Sequence, residues 1–239
     1  KKNLTLKRFI KDNPIQPKYK KLFTFMEIKI NYQNIKIFGP AIFKVKIPEI
    51  IVEKLNNHID KIINDKAESE KLNYGESLVG DVTQEFLLEK EIAEKSGWLD
   101  FLAKCTKIYI ELNEEKKISE FNLIKTWVVR QFENEYNPTH WHGGHVSGAG
   151  FLKIPKSLGK HTQNKTSKQY RGGNLQLIHG SRMFMSPSTY NIIPEVGDFY
   201  IFPNYLMHTV FPFKNSKEER RSISFNAAVD NKIYNVYGE

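Results

Sequence analysis

The sequence predicts a mainly β protein with flanking helices, of the α+β class, and three observations carry that expectation. From about Ile124 onward, short apolar runs follow one another between Gly, Pro and Asn, the texture of a sandwich or barrel built from several short strands. Before that point, two stretches place apolar residues at helical spacing. The 239 residues are 40% hydrophobic and 26% charged, a globular balance in a chain long enough to bury a sizeable core without staples.

Taken in order, Phe23, Phe25 and Glu27 to Ile30, then Ile35 to Phe38 and Ile42 to Ile47, read as strands punctuated by an Asn-rich turn and by Gly39-Pro40. Pro48 then opens a helix whose buried stripe is Ile50, Ile51, Leu55, His58, Ile59, Ile62 and Ile63. On that stripe His58 reads as a packed or rim residue rather than a ligand. A second helix is expected from about Phe86 to Leu112, interrupted at Gly97. The later strands are Trp127 to Phe132, Val146 to Ile154, Asn174 to Ile178, Phe199 to Phe202, Met207 to Val210 and Arg221 to Ala227. Between them the polar, basic stretch from Pro155 to Gly173 reads as a long surface loop, mobile and beside the barrel mouth. The expected organisation is one domain, residues 1–239, with 1–123 as support and 124–229 as the β core.

The formal charge of +9 suits nucleic acid, anionic lipid or a small anionic cosubstrate. Lysines are spread over almost the whole chain, so the excess reads as a compositional trait, and nucleic-acid binding is not the favoured reading. The single cysteine, Cys105, excludes an internal disulfide and thiolate-rich zinc sites and points to a reducing compartment. No run approaches the roughly 20 apolar residues of a membrane helix, and Lys1 to Lys20 has no apolar leader-like region. A cytoplasmic protein without a membrane span is expected, and any metal must be held by nitrogen and oxygen.

Three of the seven histidines fall within Asn137-Pro-Thr-His140-Trp-His142-Gly-Gly-His145. On an extended segment residues i and i+2 point to one side, so His140 and His142 can offer two imidazoles to one ion. Downstream, Gly197-Asp198 starts a strand ending at Phe202-Pro203, and His208 follows five residues later. Then comes Arg220-Arg-Ser-Ile-Ser-Phe-Asn226, in which Arg220, Ser222, Ser224 and Asn226 share one strand face. A buried guanidinium beside serine hydroxyls suits a carboxylate, because its planar fork pairs in a bidentate way. Asp198, in the Gly-Asp turn, reads as structural.

The order H-x-H, Gly-Asp strand, His, Arg-x-Ser resembles the 2-oxoglutarate and iron(II)-dependent oxygenases of the prolyl-hydroxylase-like type, over about Trp127 to Asn226. The resemblance implies a double-stranded β-helix, a jelly-roll or cupin-like barrel of two four-stranded sheets, supported by the N-terminal strands and two helices. It implies iron(II) at His140, His142 and His208, 2-oxoglutarate anchored by Arg220 with Ser222 as the neighbouring hydroxyl, and O2 as the oxidant. It departs from the family at His142, where a carboxylate usually stands, and His145 is the alternative third ligand. Arg182, after the Asn174 to Ile178 strand, and Asn137, just before the histidine motif, are the substrate-contact expectations. The activity implied is a dioxygenase of the hydroxylase type acting on a small molecule or peptide. Two other functions stand beside it. One is a cupin-like three-histidine metalloprotein that does not use 2-oxoglutarate. The other is a catalytically inactive barrel that binds nucleic acid or a partner through its basic loop.

Overall fold

The computed structural model describes residues 30–36, 39–163 and 168–235. The strand residues expected before Ile30 lie outside these. In chain order the elements are β1 (Tyr32–Lys36), β2 (Ala41–Lys46), α1 (Glu49–Asn64), α2 (Lys66–Lys71), β3 (Gln84–Leu87), α3 (Lys90–Ser96), α4 (Trp98–Glu114) and β4 (Phe121–Gln131). There follow β5 (Asn137–His140), β6 (Val146–Lys153), β7 (Leu175–Ile178), β8 (Thr189–Ile192), β9 (Asp198–Pro203), β10 (Met207–Val210), β11 (Arg220–Val229) and α5 (Asn231–Tyr234).

Strands β4 to β11 are shared between two antiparallel sheets. The larger runs β1-β2-β9-β6-β11-β4-β3 and the smaller β5-β10-β7-β8. Apart from the β7–β8 hairpin, each strand from β4 onward crosses to the other sheet. Four strands of the crossing path lie in each sheet, which is the double-stranded β-helix arrangement. The sheets remain open at their edges rather than closing into a barrel: β1 and β2 extend one side of the larger sheet and β3 the other.

Alternation along β11 decides what each face of the larger sheet does. Ile223, Phe225 and Ala227 join one apolar core with Leu55 and Ile59 of α1 and with Trp98, Phe101 and Leu102 of α4. Trp98 stacks on Phe101 and meets Phe199 edge-on, and its Nε1 donates to Thr126 Oγ1 at 3.0 Å. Ser222, Ser224 and Asn226 face the other way, into a cavity between the sheets. A second core of Ile42, Phe151, Leu175, Leu177, Ile192, Tyr200, Phe202 and Leu206 joins the two sheets beside that cavity.

Arg221 and Arg220 have opposite fates. The Arg221 guanidinium makes a fork to Glu219 at 2.7 and 3.0 Å and donates to Asp60 Oδ1 at 2.7 Å and Asn56 Oδ1 at 3.0 Å. It ties β11 to α1 and takes no part in the cavity wall. Asp198 is structural, as expected: its buried carboxylate pairs with Lys44 at 2.6 Å and Lys46 at 2.7 Å, joining β9 to β2. No helix among the described residues is long and apolar enough to cross a membrane.

Several boundaries differ from expectation. The helix expected from Phe86 starts only at Lys90, because Phe86 and Leu87 are strand residues paired with Val128 and Trp127 of β4. Its interruption at Gly97 is real, with φ of 85°, a left-handed conformation that favours glycine. Ile50, placed on the buried stripe of α1, is 44% exposed. Strands β5 and β8 are short, polar runs that the hydrophobic pattern does not mark.

Candidate metal centre and cosubstrate pocket

The ladder between β5 and β10 pairs His140 directly with His208. His142 lies just beyond the end of β5, where its backbone N–H donates to Asn204 O at 3.0 Å and its carbonyl accepts from Asn204 Nδ2 at 3.2 Å. Asn204, in the turn between β9 and β10, thus holds the third imidazole in place. The edge of Trp127 packs against the His142 ring, with centroids 5.3 Å apart. Ligand nitrogens of His140, His142 and His208 all lie within 4.8 Å of one another.

The hydrogen bonds prepare these rings for a cation. His140 Nδ1 is 2.7 Å from Pro138 O and His208 Nδ1 is 2.9 Å from Leu206 O. A carbonyl can only accept, so Nδ1 carries the proton in both rings and Nε2 is a bare lone pair, the usual preparation of a metal-ligating histidine. Nε2 of His142 is 3.0 Å from Nε2 of His208. Two ligands about 2.1 Å from one ion and at right angles to each other stand about 3 Å apart, so this pair already has ligand spacing. Burial pushes all three rings toward the neutral form, His208 to about 3 and His142 to about 2. Neighbouring imidazoles add to the effect for His142 and His208. Neutral imidazoles keep the lone pairs that a metal needs, so the donor set fits a divalent iron.

His145 is not part of the cluster. Its Nδ1 accepts from Val229 N at 3.0 Å, and its ring stacks on Tyr234 at 4.0 Å.

The imidazoles open onto a cavity of about 400 Å³, within the range of small-molecule sites. On its wall stands Arg220, 1% exposed. Its Nε donates to Gly173 O at 3.0 Å, Nη1 to Ser222 Oγ at 3.3 Å, and the guanidinium lies 5.1 Å from the Phe151 ring centroid. Among the described residues no carboxylate pairs with it, and burial alone pulls its pKa down to about 9. A buried cation without a counter-ion is costly, and a dianion entering the cavity supplies one.

Of the two residues expected at the substrate, Asn137 lines this cavity. Arg182 is exposed on the β7–β8 hairpin and is not on the cavity wall. Trp141 is 65% exposed at the rim. No described residue of the 155–173 loop lines the cavity. Leu158 and Thr162 instead accept hydrogen bonds from the backbone and side chain of Lys214.

Sequence reasoning missed Asn204, although an Asn directly after Phe-Pro at a strand end is a turn signal. It also missed Glu85, whose burial follows only from the pairing of β3 with β4. Glu85 is 1% exposed, and among the described residues its carboxylate oxygens make no full hydrogen bond, although the Asn137 amide lies close enough to act on them as a donor. Desolvation pushes its pKa up to about 7, and the nearby Asn137 amide opposes this only in part. No charged side chain contributes to the shift, although Lys125 and Arg220 stand on the same cavity wall. With its pKa raised in the fold, Glu85 binds more proton in the native chain than in the unfolded one between about pH 4.5 and 7. Stability therefore falls as pH rises through that window and stays reduced above it. Glu85→Gln is expected to leave the melting temperature unchanged near pH 4 and to raise it at pH 8, by an amount bounded at about 3 kcal/mol. Paired melts of parent and variant across that range measure it, and a constant offset would show that the carboxyl titrates normally.

Residues 125–226 match the family model described as "Putative 2OG-Fe(II) oxygenase". The resemblance read from the motifs therefore holds over the segment that carries all three histidines and Arg220. This match implies iron(II), 2-oxoglutarate and O2 as cofactor and cosubstrates. Among solved structures, the chain is similar to a prolyl-4-hydroxylase of Pseudomonas putida, at 16% identity over 82% of this chain and 92% of that one, with a TM-score of 0.49. It is also similar to the viral collagen prolyl hydroxylase of Paramecium Bursaria Chlorella virus-1 in its 2OG complex, at 15% identity, 79% and 96% coverage and a TM-score of 0.47. A third is a prolyl hydroxylase of Trichoplax adhaerens in complex with a hypoxia inducible factor peptide fragment, at 13%, 83% and 87%, and 0.46. No curated protein sequence matches the chain.

Proposed function

We propose that the protein is a 2-oxoglutarate- and iron(II)-dependent oxygenase of the hydroxylase type. The observation that carries this reading is that one cavity holds both a cluster of three neutral imidazoles and a buried guanidinium that has no counter-ion among the described residues. The overall reaction takes R–H, O2 and 2-oxoglutarate to R–OH, succinate and carbon dioxide. Iron(II) supplies the oxygen activation that amino-acid side chains lack.

The chain's own residues bind, orient and exclude water. His140, His142 and His208 hold the metal, with Pro138 O, Leu206 O and Asn204 fixing the three rings. Arg220 pairs with the far carboxylate of 2-oxoglutarate, and Ser222 shares the guanidinium. Phe151, Leu175 and Val210 give the cosubstrate site apolar walls, which strengthens every charge pair inside it. Asn137 faces the substrate side. In this reading residues 1–123 support a core at 124–229, and the chain works as one unit.

A ligand that prefers the native state raises its melting point, by about 2.7 kcal/mol of stability at a hundred times its Kd. Iron(II), added without oxygen, and then 2-oxoglutarate are each expected to raise it, and slow substrate-free release of succinate to follow on admitting O2. Stabilisation by iron without any response to 2-oxoglutarate would favour the cupin-like reading. No response to either would leave an inactive barrel.

A further inference from the structure

Among the described residues, Glu85 is the only carboxylate on the cavity wall. The cationic groups around the cavity are Arg220 and Lys125, and burial pushes the imidazoles toward neutrality. Strand register places it: Glu85 pairs with Val129, and Val129 with Ser222. It therefore shares a row with Ser222 two strands away, about 10 Å across the sheet. Trp127 and Val129 face the cavity from the strand between. Lys125 is four residues along β4 from Val129, about 13 Å away. Neither Lys125 nor Arg220 perturbs Glu85, so the cavity has a cationic station and a separate anionic one.

A carboxylate that is buried, has no ion-pair partner among the described residues and has only the Asn137 amide acting on it as a side-chain donor costs stability that a leucine would not. Such a departure from the packing rule marks a group completed by a ligand. In its ionised form Glu85 calls for a ligand that supplies charge as well as donors. A neutral amide or hydroxyl satisfies one lone pair and leaves the charge in place, whereas an ammonium or guanidinium brings several donors and cancels it. The cosubstrate dianion is directed to Arg220, and like-charge repulsion keeps a cation from that end.

We propose that the substrate carries an aliphatic amine or guanidinium whose charged nitrogen pairs with Glu85, while its apolar stem lies along Val129 and Trp127 toward the three histidines. This inference rests on the oxygenase reading of the same cavity, and it puts the oxidised carbon on the stem.

The test is a binding series on the full chain loaded with manganese(II) and 2-oxoglutarate, read by tryptophan fluorescence because Trp127 lines the cavity. The probes are n-pentylammonium, n-pentylguanidinium, hexan-1-ol and hexanoate. The two cations are expected to bind about tenfold tighter or more than the alcohol, a difference of about 1.4 kcal/mol, and hexanoate to bind worst. Glu85→Gln removes the preference for cations while 2-oxoglutarate affinity stays as in the parent. The variant lacks a buried charge and keeps the side-chain shape, and its melting curve verifies the fold. Equal binding of cation and alcohol in the parent, or a preference that survives in Glu85→Gln, overturns the proposal. If 2-oxoglutarate itself fails to bind the manganese-loaded parent, the oxygenase reading falls. The same probe series, which needs no turnover, still decides the role of Glu85 when it is run on the metal-loaded protein alone.

Discussion

Arg220→Ala is expected to abolish measurable 2-oxoglutarate binding while iron(II) binding stays close to that of the parent. The guanidinium is fully buried, and among the described residues its polar and ring partners are the Gly173 carbonyl, the Ser222 hydroxyl and the Phe151 ring. Its charge is therefore available to the cosubstrate. Removing one partner of a buried, hydrogen-bonded charge pair costs about 2–5 kcal/mol, or a loss of roughly 30-fold to several thousandfold in affinity. The neighbouring residue provides the control. Arg221→Ala strips Glu219 and Asp60 of their shared partner on the opposite face; because Glu219 keeps Arg130 at 2.9 Å, the change is expected to cost about 1–3 kcal/mol of stability and to spare 2-oxoglutarate affinity in the folded fraction. Calorimetric titration of both variants, with melting curves alongside, separates the two outcomes. The reverse pattern would assign the cosubstrate to the wrong arginine.

His208→Ala and His142→Ala are each expected to weaken iron(II) by about a hundredfold or more, because each removes a full share of a metal-binding energy of about 10 kcal/mol. His145→Ala is expected to leave iron affinity unchanged and to lower the melting temperature, since it deletes the acceptor of Val229 N–H and the stack on Tyr234. Anaerobic iron titrations distinguish these cases. Loss of iron at His145 together with retention at His142 would overturn the assignment of the third ligand.

How far the sequence could be read depended on whether a residue's environment was local. The face of Arg220 was legible because β11 alternates strictly, Ser222, Ser224 and Asn226 against Ile223, Phe225 and Ala227. The H-x-H pair and the histidine after the Gly197-Asp198 strand were legible for the same reason. Glu85 was not. Gln84 to Leu88 runs straight into a helical pattern, and only the non-local pairing with β4 makes it a strand and buries its carboxylate. The four-residue strand Thr189–Ile192 has no apolar alternation to announce it. Arg182 lay in a segment resembling a substrate-contact region, but the hairpin that carries it keeps the side chain in solvent. His142 and His145 could not be told apart by spacing, because the choice is made by Asn204 and by the backbone of Val229, both distant in sequence.

The direct pairing of His140 with His208 across β5 and β10 also dictates when the cluster can exist. Its two halves are separated by the chain from residue 140 to residue 208, and closing so large a loop is entropically slow compared with local helix formation. On the proposed ligand assignment the neighbouring His140 and His142 of a refolding chain would hold an ion only weakly, because the third imidazole arrives only when β10 docks between β5 and β7. A one-residue slip of that edge pairing turns an imidazole to the wrong side of the sheet. On that assignment, high-affinity metal capture would therefore belong to the last stage of assembly and report that the small sheet has found its register.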